Sequence, residues 1–330
     1  MTGTPPPARR DDVPDDVRRV ALSRTFDGDA ELYDRARPGY PDALFDDLAE
    51  FAGAVPGARV LEIGAGTGKA TVPLVARGCR VTAVEVGANM AAVARRNLAA
   101  LTDAPGTAPP TGTPDTAPPH ITPPAGASRT APSRPAPAAV VVTAAFEEWP
   151  LPVEPFDVVF AATAFHWIDP AVRMARSADA LRPGGALAVV ATQHVAGGTE
   201  EFFAAVQDCY ERFDPATPPG LRPPAVADVD TSSHAAEAER SGRFAPGALT
   251  RRYVRDLAYS TAEYLDVLRT YSNHRTLPPA ALDSLLNCVG RLIDTRFGGS
   301  VTKRYLFELR ISRTPDHTPD RTPGPHARSA

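Results

Sequence analysis

The run E-I-G-A-G-T-G, from Glu62 to Gly68, places a carboxylate two residues ahead of three alternating glycines. Gly64, Gly66 and Gly68 have no β-carbon, so the backbone can turn sharply and let a ligand lie flat against it. A helix starting just beyond would add unpaired N–H groups that suit a carboxylate or phosphate. Glu85 closes a second apolar run about 20 residues on, where an acid can accept hydrogen bonds from both hydroxyls of a ribose. A dinucleotide loop would read G-x-G-x-x-G, and Lys69 stands where its third glycine belongs. The acid inside the first strand, Glu62, tips the choice. An ammonium-bearing ligand gives a buried carboxylate a reason to be there.

These residues need a scaffold. R-V-L-E-I at 59–63 reads as a short buried strand after the turn dipeptide Pro56-Gly57. K-A-T-V-P-L-V-A-R-G reads as a helix with Pro73 in its first turn and Gly78 at its C-terminal cap. R-V-T-A-V-E-V is a second strand. In the next segment Met90, Val93, Ala94, Leu98 and Leu101 fall at helical spacing, with Arg95 and Arg96 outward. Further apolar runs follow near 139–146, 156–165 and 185–192, then R-R-Y-V-R-D-L-A-Y-S, two helical stretches and T-K-R-Y-L-F-E-L-R-I-S. Near-continuous apolar strands alternating with helices predict an α/β fold with a mostly parallel sheet covered on both faces.

Composition bounds the rest. Hydrophobic residues make up 43% and the net charge is −4, which gives no sign of the basic face that nucleic-acid binders carry. Prolines crowd between 102 and 139, a stretch that cannot offset its ordering entropy by apolar burial. The expectation is a single domain over 21–312, interrupted by a disordered insertion at 102–139 and flanked by disordered segments at 1–20 and 313–330. Cys79, Cys209 and Cys288 are widely spaced with no C-x-x-C pair, so they are expected to be reduced thiols without a metal site. No apolar leader and no run of roughly 20 apolar residues is present, which predicts a cytoplasmic location.

With the motifs in this order, the sequence resembles the class I S-adenosylmethionine-dependent methyltransferases, in particular small bacterial members of the type 11 kind. V-L-E-I-G-A-G-T-G-K-A-T matches their first motif, V-T-A-V-E-V the strand ending in the ribose acid, and F-D-V-V-F-A-A-T-A-F-H-W-I-D-P the fourth motif. A-L-R-P-G-G-A-L-A-V-V resembles the turn and strand that follow, and F-D-G-D-A-E-L-Y-D-R-A-R-P-G-Y-P-D-A-L-F the leading segment. The resemblance covers most of 20–312 outside the insertion and implies a Rossmann-like fold with a seven-stranded sheet. It also implies S-adenosyl-L-methionine as cofactor and a small-molecule acceptor methylated at a carboxylate or hydroxyl, with no nucleic-acid, membrane or protein partner.

The resemblance also implies roles residue by residue. Gly64, Ala65, Gly66 and Gly68 would wrap the methionine part, Glu62 would meet its amino group, and Glu85 and Val86 would hold the ribose end. Ala161 joins this cofactor set at the end of the fourth strand. Arg37 would pair with the cofactor carboxylate and Tyr33 would cover the sulfonium; the alternative for R-A-R-P-G-Y-P is a helix-ending turn. Where relatives carry an Asp beside the adenine, this chain has T-A-A-F-E-E-W, so Phe146 and Glu147 are assigned there, against a reading as core and solvated residues. His166 is either a general base or a packing partner of Trp167. Trp167, Tyr271, His274 and Arg275 are assigned to the acceptor pocket. The basic residues between Arg251 and Arg310, Lys303 among them, form either a solvated face or a wall that selects an anionic acceptor. Two other functions stand beside the methyltransferase: a non-catalytic cofactor-binding protein and a nicotinamide-dependent oxidoreductase.

Overall fold

The computed structural model describes residues 25–103, 138–214, 216–230 and 232–316. Residues 1–20, 104–137 of the expected insertion and 317–330 of the expected tail lie outside them. Seven strands form one sheet: β1 (Arg59–Ile63), β2 (Arg80–Glu85), β3 (Ala139–Thr143), β4 (Phe156–Ala162), β5 (Leu181–Gly198), β6 (Leu249–Ser260) and β7 (Ser300–Arg313). Their order is β3-β2-β1-β4-β5-β7-β6. β1 to β5 run parallel, while β7 is antiparallel to both β5 and β6.

Alternation along the strands divides the core between two faces, as the pleat requires. Val60, Val158, Phe160, Ala186 and Ala188 bury on one face, with the C-terminal helices Thr261–Arg269 and Pro279–Arg296. Leu61, Ile63, Val159, Leu187 and Val189 bury on the other, with the helix Arg173–Ala180. The predicted α/β sheet with both faces covered is therefore the observed one. The helix Thr71–Ala76 takes Pro73 in its first turn, and Gly78 follows at φ +85° with its N–H on Val75 O, as the cap signal predicts.

The order in which the parallel strands are added switches at β1: β2 and β3 build outward on one side and β4 and β5 on the other. A crevice opens at such a switch point beyond the C-terminal strand ends. The glycine run leaves β1 there, with Gly64, Gly66 and Gly68 at φ +66°, +59° and +85°. Gly64 N–H donates to Val84 O at 2.8 Å, tying the bend to β2.

Two expectations require correction. Cys209 and Cys288 form a disulfide with their Cα atoms 5.8 Å apart, rather than standing as free thiols. They are 79 residues apart in sequence, and only the packing of the helix Gln207–Phe213 on Pro279–Arg296 brings them together. The segment boundaries also move. The helix Ala88–Asp103 runs past 102, and Ala139 already belongs to β3. At the other end Arg313 completes β7, and Thr314 is buried with its N–H on Gly185 O at 2.9 Å. Sheet hydrogen bonding extends these edges beyond the point where composition turns proline-rich.

A β-carbon added at Gly64 would stand 2.5 Å from the Ala164 side chain, on a backbone that already disfavours L residues. Gly64→Ala should therefore cost about 2–4 kcal/mol of stability in urea unfolding. An unchanged midpoint would mean that the bend is not fixed as described.

Candidate active site

A cavity of about 330 Å³ opens at the switch point. Its floor is Glu62, Gly64, Ala65 and Gly66, its near side is Tyr33, Arg37 and Tyr40, and its far wall comes from β5 and β7 with Thr192, His194, Lys303 and Tyr305. Space is open where a β-carbon on Gly66 would point. Bare backbone faces a void here.

Glu62 is 1% exposed, and its Oε2 has no hydrogen-bond partner among the described residues. Burial raises its carboxyl to about 8, opposed by the Thr71 hydroxyl and reinforced by the nearby charge of Glu85. A buried acid with one unpartnered oxygen beside open backbone fits a ligand that brings a cation. Glu85 ends β2 nearby. Its Oε2 accepts from Gly66 N at 2.8 Å and its Oε1 from Gly87 N at 2.8 Å. Burial raises Glu85 also, and the two N–H donors oppose that. Each oxygen keeps a lone pair for a further donor.

The leading segment closes over this end. Asp27 Oδ1 accepts from Asn89 N at 2.8 Å and Met90 N at 3.0 Å, capping the helix Ala88–Asp103 from outside. Phe26 packs edge-on to both Tyr33 and Trp167. Arg37 stacks over Tyr271, its Cζ 4.5 Å from the ring centroid, and donates to Thr270 Oγ1 at 2.8 Å and Thr270 O at 3.0 Å. Burial raises the Tyr33 and Tyr40 phenols, so both stay protonated.

Beyond β4, Thr163 takes φ +57°, a conformation that a β-branched residue adopts only under constraint. Its hydroxyl lies 3.2 Å from Tyr40 Oη and 3.0 Å from Thr192 Oγ1, so one chain of hydroxyls crosses the cavity. Burial, with Lys303 close by, lowers His194 to about 3 and holds it neutral. Burial alone would raise Tyr271, but Lys303 and Arg37 pull its phenol below the ordinary value.

The assigned residues thus separate. Glu62, Gly64, Ala65, Gly66, Tyr33, Arg37 and Tyr271 meet in the cavity. Gly68 packs against Ala94, and Val86 is exposed beyond β2. Phe146 and Ala161 are buried in the core on the Leu61 face, and Glu147 Oε1 accepts from Asp169 N at 3.1 Å. His166 is exposed, in tilted contact with Trp167 at 4.6 Å between centroids, and neither lines the cavity. His274 is buried with Nδ1 2.8 Å from Leu268 O, and Arg275 ties the leading segment by bonding Thr25 O. Thr163, Thr192, His194 and Tyr305 had not been singled out, because each becomes a site residue only when β4, β5 and β7 lie side by side. Lys303 carried a signal: it interrupts the buried stripe Val301, Tyr305, Phe307, Leu309 at period two.

The family described as a methyltransferase domain matches residues 33–214, more than half of the chain. The chain belongs to the class I S-adenosylmethionine-dependent methyltransferases. The chain is 34% identical over 172 residues to an uncharacterized methyltransferase of Mycobacterium tuberculosis H37Rv, covering 52% of this chain and 54% of that protein. It therefore spans about half the length of that curated relative. Over 57 residues it is 49% identical to ribosomal RNA small subunit methyltransferase A of Anaeromyxobacter dehalogenans, 17% of this chain and 20% of that one. A solved structure from Anaeromyxobacter dehalogenans, assigned as a type II methyltransferase, shares the fold at 21% identity. Its TM-score is 0.51, over 85% of this chain and 99% of that one. Among the described residues no helix is long and apolar enough to cross a membrane, and no cluster of His, Cys, Asp or Glu could hold a metal.

The raised Glu62 carboxyl makes a pH-dependent prediction. The folded chain holds that proton more tightly than the unfolded one, so stability should fall as pH rises from 4.5 to about 8. Glu62→Gln carries no titrating proton and should lose less stability over that window. Urea unfolding of the unliganded proteins across the range tests this, and parallel curves would remove the assignment.

Proposed function

We propose that this chain uses S-adenosyl-L-methionine to methylate a small-molecule acceptor by direct in-line displacement in a cytoplasmic setting. The observation that carries the reading is Glu62, a buried acid with a free oxygen at the foot of an open glycine bend. When bound, the cofactor supplies an electrophilic methyl carbon whose bonding pair returns to a neutral thioether sulfur.

The chain's own residues then have separable tasks. Glu62 neutralises the amino group of the methionine part, and Arg37 offers a planar guanidinium to its carboxylate. Glu85, fixed by Gly66 and Gly87 N–H groups, takes the ribose hydroxyls on its remaining lone pairs. Tyr33 and Tyr40 exclude water while presenting neutral, polar rings. Thr163, held at positive φ, aims its hydroxyl into the space where an acceptor would meet the methyl group.

Alignment and desolvation can supply on the order of 7–11 kcal/mol of such a reaction, whereas a general base adds about 10²–10⁴-fold. The cavity holds His194 neutral and far too weakly basic for that second task, and His166 stands outside it. The reading therefore rests on positioning.

S-adenosylhomocysteine should bind in calorimetry and raise the melting temperature, while NAD should do neither. Glu85→Ala should weaken S-adenosylhomocysteine by about 10–100-fold, since two hydroxyls lose their acceptor. Binding of NAD instead, or an unaltered affinity in Glu85→Ala, would overturn the assignment.

A further inference from the structure

Lys303 is 3% exposed, yet it has no carboxylate within 4.0 Å among the described residues. Lysine is almost never so buried without a partner, because removing its charge from water is costly. Its Nζ donates to Tyr271 Oη at 2.5 Å and lies 5.0 Å from the ring centroids of both Tyr271 and Tyr305. Aromatic faces and one phenol soften the cost without cancelling the charge. Its basic neighbours differ: Arg252 pairs with Glu308 and Arg304 with Asp256. Of these three, Lys303 alone faces the cavity.

A second observation points to the same place. His194 lines the cavity on β5, and its Nε2 is buried without a hydrogen-bond partner among the described residues. His194 is paired across the sheet with Tyr305, so it shares the far wall with Lys303. An ammonium lacking a counter-ion and an imidazole nitrogen lacking a partner line one cavity.

The cofactor's own carboxylate is poorly placed to satisfy them. β7 is three strands from β1 in the sheet, about 14 Å at the usual spacing, and the cofactor carboxylate already has Arg37 assigned to it. Resting on the methyltransferase reading, we infer that the acceptor is a small carboxylic acid bound as its monoanion, with Lys303 as its counter-ion. Tyr271 and His194 supply hydrogen bonds to the acid, and Tyr40, Tyr305 and Phe307 enclose its apolar body. A single cation matches a carboxylate better than a phosphate dianion. Arg37 cannot make up the difference, since the N–H groups that Thr270 leaves free are the ones assigned to the cofactor carboxylate.

The test uses the full chain saturated with S-adenosylhomocysteine. Benzoate, 3-phenylpropanoate and hexanoate are titrated by calorimetry, each against its primary amide, with phenyl phosphate as a further arm. At least one acid should bind about tenfold or more tightly than its amide and than phenyl phosphate. Lys303→Met should remove that preference, Lys303→Arg should keep most of it, and both should bind S-adenosylhomocysteine within about twofold of wild type. The inference falls if no acid is preferred over its amide, if phenyl phosphate binds best, or if Lys303→Met keeps the preference. It also falls if Lys303→Met loses S-adenosylhomocysteine, which would assign the lysine to the cofactor. Wild-type protein that ignores S-adenosylhomocysteine would instead sink the methyltransferase reading itself.

Discussion

A carboxylate buried at the end of a central strand constrains everything around it. Glu62 shares a sheet face with Val60 and sits between β2 and β4, where water cannot solvate it. Leaving an ionised oxygen unpaired there is unfavourable, so the empty site favours the protonated acid. A cationic ligand reverses that preference. The glycine bend must stay bare beside it, because any side chain on the void-facing backbone would compete for the same volume. The switch in strand order, the bend and the acid are one arrangement with three parts.

Around that arrangement the molecule sets two walls, each carrying one cation. The near side has Arg37 clamped to Thr270 and two protonated phenols. The far side has a buried ammonium on the antiparallel strand β7. Thr163 links them through Tyr40 and Thr192, so the residue with the least comfortable backbone is also the one fixed from both directions. Strain held by neighbours in this way is a means of keeping a polar group aimed without letting it relax.

Much of this was legible because the signals were local. The glycine run, the acid closing β2, Pro73 and the cap at Gly78 each follow from a handful of consecutive residues. What could not be read depended on strands meeting. Phe146 looks equally suited to an adenine or a core in sequence, and its place on the Leu61 face became visible only with the sheet assembled. His194 lies in an ordinary-looking stretch until β5 brings it opposite Tyr305. The Cys209–Cys288 bond is of the same kind, since nothing within either helix announces its partner. Lys303 is the instructive exception: a charged residue inside a two-residue apolar rhythm was detectable, and the abundance of nearby arginines concealed it.

The bonds from Asn89 and Met90 to Asp27 tie the leading segment to the helix that follows β2. One aspartate therefore serves as both hinge pin and helix stopper. A shortened chain beginning after it would uncover the Glu85 corner and fray that helix in the same stroke, so domain trimming guided by the family match from residue 33 alone would cut away part of the architecture it meant to isolate.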